Sequence, residues 1–159
     1  MAEFSHFDDQ GRTRMVDVDA KPVTERIARA SAHTSMNPDT LSRIKERDFA
    51  KGDVLEVARL AAIMGAKETS RLIPLCHPIP LSSVEIDFSF PDNSTVRVEA
   101  TVRVSAKTGV EMEAMTAVTV ASLTIYDMCK SADRQIVIGS VQLEEKIGGK
   151  SGHFIRSTA

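Results

Sequence analysis

Hydrophobic and polar residues alternate along two neighbouring stretches of the chain. From Ser83 to Phe90, and again from Thr95 to Val104, every second residue is apolar. A period of two places the apolar side chains on one face of a strand, so each stretch predicts a half-buried strand. The intervening Pro91–Ser94 has the composition of a turn, and the two strands are expected to form a hairpin.

A helical period replaces the alternation in two other stretches. Asp53 precedes the first, and Glu56 stands three residues later, which is the spacing of a capping box. This helix is expected to run up to Pro74, because the residue before a proline avoids helical backbone angles. The second helix is expected to be capped by Thr108, with Glu111 at the third position.

The second of these helices should be buried. It is expected to reach Lys130, and no formal charge occurs from Ala114 to Tyr126. Because the helix is apolar nearly all round and rich in small residues, a two-layer fold cannot cover it fully. We therefore expect a homo-oligomer that buries its outer face.

Three weaker patterns complete the predicted elements. Arg26–Met36 is predicted as a strand, a short helix as starting at Asn37 and reaching about Asp48, and Ile136–Lys146 as the last strand, with a bulge near Gly139. The order strand, helices, strand, strand, helix, strand is the split βαβ arrangement of a ferredoxin-like sandwich. The fold class is therefore α+β, with an antiparallel sheet and helices on one face.

One domain accounts for the chain. Its 159 residues suffice for a single core. Residues 15–147 are predicted to form a single catalytic domain, between a mobile N-terminal arm at residues 1–14 and a flexible tail with glycine and lysine at residues 148–159. The tail resembles part of a P-loop but does not complete one, since Glu144 occupies the position of its first glycine.

Composition and charge exclude several classes of protein. The net charge of −2 offers no general attraction to nucleic acid or to membranes, and the absence of tryptophan removes platforms for stacking single strands. The N-terminus lacks the apolar segment of a signal peptide, and the uncharged helix is too short to span a bilayer. Cys76 and Cys129 are expected to be free thiols of a cytoplasmic protein.

The candidates for catalysis and binding are charged or titratable residues that lie beside helix ends or in a stiff loop. Lys51 precedes Gly52 and the cap Asp53, where a helix N-terminus favours an anion, although an ordinary surface lysine fits the same pattern. His77 stands in a loop restricted by prolines, which suits binding, acid–base chemistry or simple packing. Glu113 is not explained by a cap and is a better site candidate than Glu111.

The far end of the buried helix carries Asp127 and Lys130, which share a face at spacing i, i+3. They form either a surface ion pair of little consequence or a desolvated pair whose lysine has a lowered pKa and acts as an acid or base. If the cations of the chain converge, their ligand carries several negative charges, most simply phosphates. These cations are Lys21, Arg26, Lys51, Lys130, Lys146 and Lys150.

Together these segments closely resemble the molybdenum cofactor biosynthesis protein C family, the cyclic pyranopterin monophosphate synthases. The matching stretches are Met15–Val18, Lys51–Asp53, Leu72–Pro78, Lys107–Met115, Leu123–Lys130 and Gly148–Gly152. The resemblance implies a ferredoxin-like fold assembled as a homohexamer, a trimer of dimers. It also implies a small-molecule substrate, the cyclised guanosine triphosphate made by a radical enzyme, which is converted to cyclic pyranopterin monophosphate with release of pyrophosphate.

The resemblance also implies roles for individual residues. Asp127 and Lys130 are expected to be catalytic, with Lys51 also essential. Contacts with substrate are expected from Leu75, Cys76, His77, Met112 and Glu113. Independently of the resemblance, the glycine-rich tail with Lys146 and Lys150 either folds over an anionic ligand or is simply solvated. No resident cofactor is expected; neither CxxC nor HExxH occurs, so no zinc site is expected, and metal assistance to pyrophosphate departure is left open.

A second class of function fits the same residues: an oligomer that binds a nucleotide as a regulator without turnover. Burial discriminates between the two, because a catalytic Asp127–Lys130 pair should be walled off from bulk water, whereas a regulatory pair tolerates exposure. For the enzyme, we expect Lys51, His77, Glu113, Asp127 and Lys130 to converge on one cleft, from one subunit or two. The segment Gly148–Gly152 is expected to be disordered or displaced without ligand and to order over a bound phosphate.

Overall fold

The strands pair into one antiparallel sheet. In the computed structural model, which describes residues 6–48, 52–150 and 152–157, they are β1 (Thr24–Ser35), β2 (Ser83–Ser89), β3 (Thr95–Ala106), β4 (Val137–Ile147) and β5 (Phe154–Ile155). Their order across the sheet is β2-β3-β1-β4-β5. β1 and β4 correspond to the first and last strands that the sequence predicted, and they are neighbours in the middle of the sheet.

The helices pack on the sheet and on each other. They are α1 (Pro38–Lys45), α2 (Val54–Lys67), α3 (Thr69–Leu72) and α4 (Glu111–Cys129). α4 lies on β1, β3 and β4, and α2 packs on α4 and β2. This arrangement confirms the predicted ferredoxin-like α+β fold. Small and β-branched side chains such as Ala30, Val98 and Val118 fill the core between the layers.

The hairpin and the bulge that the sequence predicted are both present. β2 pairs with β3, and β1 pairs with β3 and β4. Ser31 lies opposite Gln142 and His33 opposite Gly139, so β4 has one more residue than β1 between these pairs. Ser140 lies in this bulge and takes a positive φ of 51°.

α2 begins as predicted and ends earlier. The Asp53 carboxylate accepts hydrogen bonds from two backbone N–H groups of the first turn, which confirms the cap. The prediction of one helix up to Pro74 is wrong, because α2 ends at Lys67. There the Thr69 hydroxyl donates to the carbonyl oxygen of Ala66 (2.9 Å) and satisfies an acceptor that the helix leaves open.

The start of α4 also departs from the prediction. Its N-cap is Val110, and no side chain caps it, so the assignment of Thr108 as the cap is wrong. Glu111 folds back over Gly109, where a Cβ atom would collide with its carboxylate. The carboxylate then lies 2.5 Å from the Nζ of Lys146, so an ion pair with β4 replaces the capping box.

α4 is covered more completely than its sequence suggested. The sheet and α2 bury most of its apolar residues, although Leu123 is 55% exposed. A longer uncovered stripe lies on α2, where Val57, Leu60 and Met64 are 43%, 61% and 58% exposed. Their spacing places them on one helix face, and an exposed apolar stripe of this kind is typical of a surface that binds another chain.

α2 and α4 approach each other closely at Gly65. A Cβ atom here would lie 2.8 Å from Cγ2 of Val120, a stiff side chain on α4. We expect Gly65→Ala to lower the free energy of unfolding by about 1–2 kcal/mol, because overpacking outweighs the gain in helix propensity. Urea unfolding measures the change. Gly139→Ala is the matched control, since a Cβ atom there meets nothing within 4 Å; a stabilised Gly65→Ala protein would contradict the close approach.

Both ends of the chain contribute local structure. Phe7 bridges to Thr13 in the described part of the N-terminal arm. β5 pairs with β4, so the predicted tail contains a short strand. Within the described ranges, no helix has the length and hydrophobicity needed to cross a bilayer.

Candidate active site

A cavity of about 390 Å³ lies where the loop after α3 meets the start of α4. We call it the loop cavity. Its wall contains the residues of this loop and of the first helical turn that were expected to contact substrate: Leu75, Cys76, His77, Met112 and Glu113. The fold therefore brings together two motifs that are separated in sequence by the whole β2–β3 hairpin.

A second cavity, of about 540 Å³, is strongly positive, and we call it the cationic cavity. Five cations and one carboxylate line it: Lys21, Arg26, Lys107, Lys146, Lys150 and Glu111. Four of these cations belong to the set whose convergence the sequence suggested. An excess of positive charge in a concave site favours a ligand with several negative charges.

Arg26 is the buried member of this group, only 7% exposed. Its Nη2 donates to the carbonyl oxygen of Lys107 (3.4 Å), whereas its Nε and the hydroxyl of Thr24 are buried without a hydrogen-bond partner. Buried donors without partners are costly, so an anion in the cavity would satisfy them.

Gly148 and Gly149 pack against the same wall. Both have a positive φ, and a Cβ atom at Gly149 would collide with the guanidinium of Arg26. The chain turns tightly over Arg26 at these two positions, where a positive φ and the close contacts favour glycine. The ordering of residues 148–152 over a bound phosphate stays a prediction. Ser151, in the same segment, lies outside the described residues.

The two cavities are contiguous. Lys21, Thr108, Gly109 and Glu111 line both of them. Together the cavities suit an elongated ligand, whose anionic part contacts the cations while its other end meets the polar side chains of the loop cavity.

Glu113 is a buried carboxyl group in the loop cavity, 4% exposed. Burial raises its pKa to about 7; its own backbone N–H opposes the shift, and the negative charge of Glu111 adds to it. Burial also raises the pKa of the neighbouring Cys76 thiol, with a further contribution from the charge of Glu113. Near neutral pH the loop cavity thus contains a carboxyl group close to its titration midpoint.

Asp127 and Lys130 lie at the opposite end of α4. A helix rises about 1.5 Å per residue, so roughly 21 Å separates Glu113 from Asp127 along the axis. The pair is joined at 2.5 Å, with side chains 63% exposed for Asp127 and 51% for Lys130. The hydrogen bond to Asp127 raises the pKa of Lys130, so the alternative of a desolvated lysine with a lowered pKa is wrong for a single subunit.

One subunit therefore divides the predicted site residues into two groups. His77 and Glu113 share the loop cavity, and Lys146 and Lys150 line the cationic cavity, whereas Asp127 and Lys130 line neither of them. Lys51 lies outside the described residues, although the helix start that it precedes is formed. Across the described part of the chain, no group of three or more His, Cys, Asp or Glu side chains is arranged to hold a metal ion.

Lys107 and Glu111 are among the cavity residues that sequence reasoning did not select as site residues. Glu111 had been assigned to a capping box, which its contact with Lys146 replaces. Lys107 could have been found, since it precedes a glycine and a helix start much as Lys51 does.

Comparison with known proteins points to one family. Residues 15–149 match the MoaC family. The chain is 59% identical over 158 residues to a cyclic pyranopterin monophosphate synthase from Magnetococcus marinus, which covers 98% of this chain and 96% of the relative. It is 53% identical over 154 residues to a protein of the same name from Brevibacillus brevis. That alignment covers 97% of this chain and 96% of the relative. The matched segment includes the loop after α3 and the whole of α4, and the chain belongs to the MoaC family.

Proposed function

We propose that this protein is a cyclic pyranopterin monophosphate synthase. It converts (8S)-3',8-cyclo-7,8-dihydroguanosine 5'-triphosphate to cyclic pyranopterin monophosphate and pyrophosphate in molybdenum cofactor biosynthesis. The observation that carries the proposal is the junction of the cationic cavity with the loop cavity. A nucleotide-derived triphosphate has one strongly anionic end and one polar heterocyclic end, and the joined cavities match both.

The cationic cavity binds the triphosphate. Lys21, Arg26 and Lys146 line it, and the unpartnered Nε of Arg26 provides a further donor. Formation of the cyclic phosphate expels pyrophosphate, and the same cations stabilise the negative charge that develops on this leaving group.

The loop cavity binds the heterocycle, whose rearrangement requires several proton transfers. Such transfers call for acid and base groups of different pKa. Asp127 and Lys130 supply two of these groups, and they come from a second subunit, because roughly 21 Å along α4 is too far for one substrate to bridge. The exposed stripe on α2 and Leu123 are surfaces that association of subunits would cover.

The assembly is a homohexamer built as a trimer of dimers, as the family resemblance implies. A radical enzyme that cyclises GTP supplies the substrate. The reaction needs no resident cofactor, and it takes place in the cytoplasm.

Conversion of the cyclised substrate by the purified full chain tests the proposal. We expect pyrophosphate and the pterin product to form in equal amounts, with added pyrophosphate acting as a competitive inhibitor. The exposed Asp127–Lys130 pair of a single subunit is also what a regulatory binding module would show. Binding of the substrate without any turnover would therefore support the regulator and refute the enzyme.

A further inference from the structure

Glu113 is a buried titratable group that the proposed reaction has not yet used. It belongs to the first turn of α4 and forms part of the wall of the loop cavity. Only 4% of the residue is exposed, although it faces a cavity of about 390 Å³. A ligand in that cavity would touch the carboxyl group and at the same time exclude the remaining water.

A lysine and two histidines line the loop cavity with Glu113, but none of them is paired with it. The titratable groups that line the loop cavity with it are His6 and Lys21 from the N-terminal segment, Cys76 and His77 from the loop after α3, and Glu111 from its own helix. Among the residues that the structure describes, no Lys, Arg or His nitrogen lies within 4.0 Å of its carboxylate. Glu111, by contrast, is neutralised by Lys146 at 2.5 Å.

This contrast distinguishes two carboxyl groups on one helical turn. Glu111 forms an ion pair with Lys146, and it contributes to the wall of both cavities. Glu113 is held where its charged form is poorly solvated, which favours the protonated form near neutral pH. A carboxyl group that keeps its proton at neutral pH can donate it to a bound ligand.

We propose that Glu113 is a catalytic general acid, which gives its proton to the heterocyclic part of the substrate bound in the loop cavity. This proposal rests on the proposed function. In the step, the O–H bond of the carboxyl group breaks, and its electron pair remains on the carboxylate. A new bond forms between the proton and a lone pair on a ring nitrogen or oxygen of the substrate. The carboxylate recovers a proton from water or from a later intermediate before the next turnover.

The test compares Glu113→Gln with Glu113→Asp in the full-length protein, using the cyclised guanosine triphosphate as substrate. Glu113→Gln should lower kcat by about 10²-fold with KM changed by less than about threefold, because the amide keeps the shape of the side chain but donates no acidic proton. Glu113→Asp should recover part of the lost rate.

The pH profile gives a readout that a purely structural role would not alter. For an acid, the wild-type kcat should fall as pH rises through about 7, since the protonated fraction falls. This fall of kcat with rising pH should be absent from the residual activity of Glu113→Gln. Glu85→Gln is the control, because Glu85 is an exposed carboxylate on β2, away from both cavities, and should leave kcat and its profile unchanged.

Several outcomes would overturn the proposal. Glu113 would be a binding residue only if the kcat of Glu113→Gln stayed within a few-fold of wild type. The same would follow if the variant had a raised KM but its kcat still fell as pH rises through about 7. If Glu113→Gln does not fold, the side-chain carboxyl carbon of Glu113 can be titrated by NMR in the ¹³C-labelled wild-type protein. A midpoint near 7 supports the proposal, and a midpoint below about 5 overturns it. Absence of turnover by the wild-type protein would refute the proposed function itself, and with it the acid role.

Discussion

Asp127→Asn should lower kcat for the cyclised substrate by about 10²-fold or more while substrate still binds. The amide keeps the size and much of the hydrogen-bonding shape of the side chain, but it carries no charge and cannot accept the proton. In a single subunit Asp127 contacts Lys130 at 2.5 Å and raises the pKa of that lysine. The substitution also removes the contact that raises the pKa of Lys130, but a lysine at its ordinary pKa still carries its charge near neutral pH, so the loss of rate reports on Asp127 itself.

Steady-state kinetics with the purified variant measures this effect, and Lys51→Ala provides the contrast. If Lys51 mainly binds phosphate at the start of α2, its loss should raise KM as well as lower kcat. For Asp127→Asn, KM should stay close to the wild-type value. Turnover by Asp127→Asn within a few-fold of wild type would remove Asp127 from the mechanism.

The sequence predicted those elements whose signal is local. The alternation of residues 83–90 and 95–104 predicted the hairpin, and Asp53 predicted the start of α2. The end of α2 was missed because no proline or glycine directly follows it in the sequence; the Thr69 hydroxyl bonds to a carbonyl oxygen there, which periodicity does not reveal. The start of α4 was misplaced because Glu111 contacts Lys146, and nothing in the spacing of the two residues predicts that contact.

The candidate site was predicted in its residues more than in its arrangement. The loop after α3 and the first turn of α4 carry recognisable motifs, and the structure places Cys76, His77 and Glu113 around one cavity. A sequence motif does not specify the distance between the two ends of a helix. The length of α4 separates Asp127 from Glu113 within one subunit, and the proposed function therefore places Asp127 in the site of a second subunit.

We propose that a complete active site combines the cavities of one subunit with Asp127 of another. Lys146→Glu tests the cavity side, because it reverses a charge in the cationic cavity and opposes Glu111. Each of Lys146→Glu and Asp127→Asn alone should be nearly inactive. Unfolding the two variants together in equal amounts and refolding them yields mixed oligomers.

In such a mixture the Asp127→Asn subunits provide intact cavities, and the Lys146→Glu subunits provide intact Asp127. If association is random, about a quarter of the sites pair an intact cavity with an intact Asp127. We therefore predict that mixing restores about a quarter of the wild-type turnover rate, whereas each variant refolded by itself stays inactive. A mixture no more active than the sum of its two parents would contradict the account, since it would mean that each site lies within one subunit.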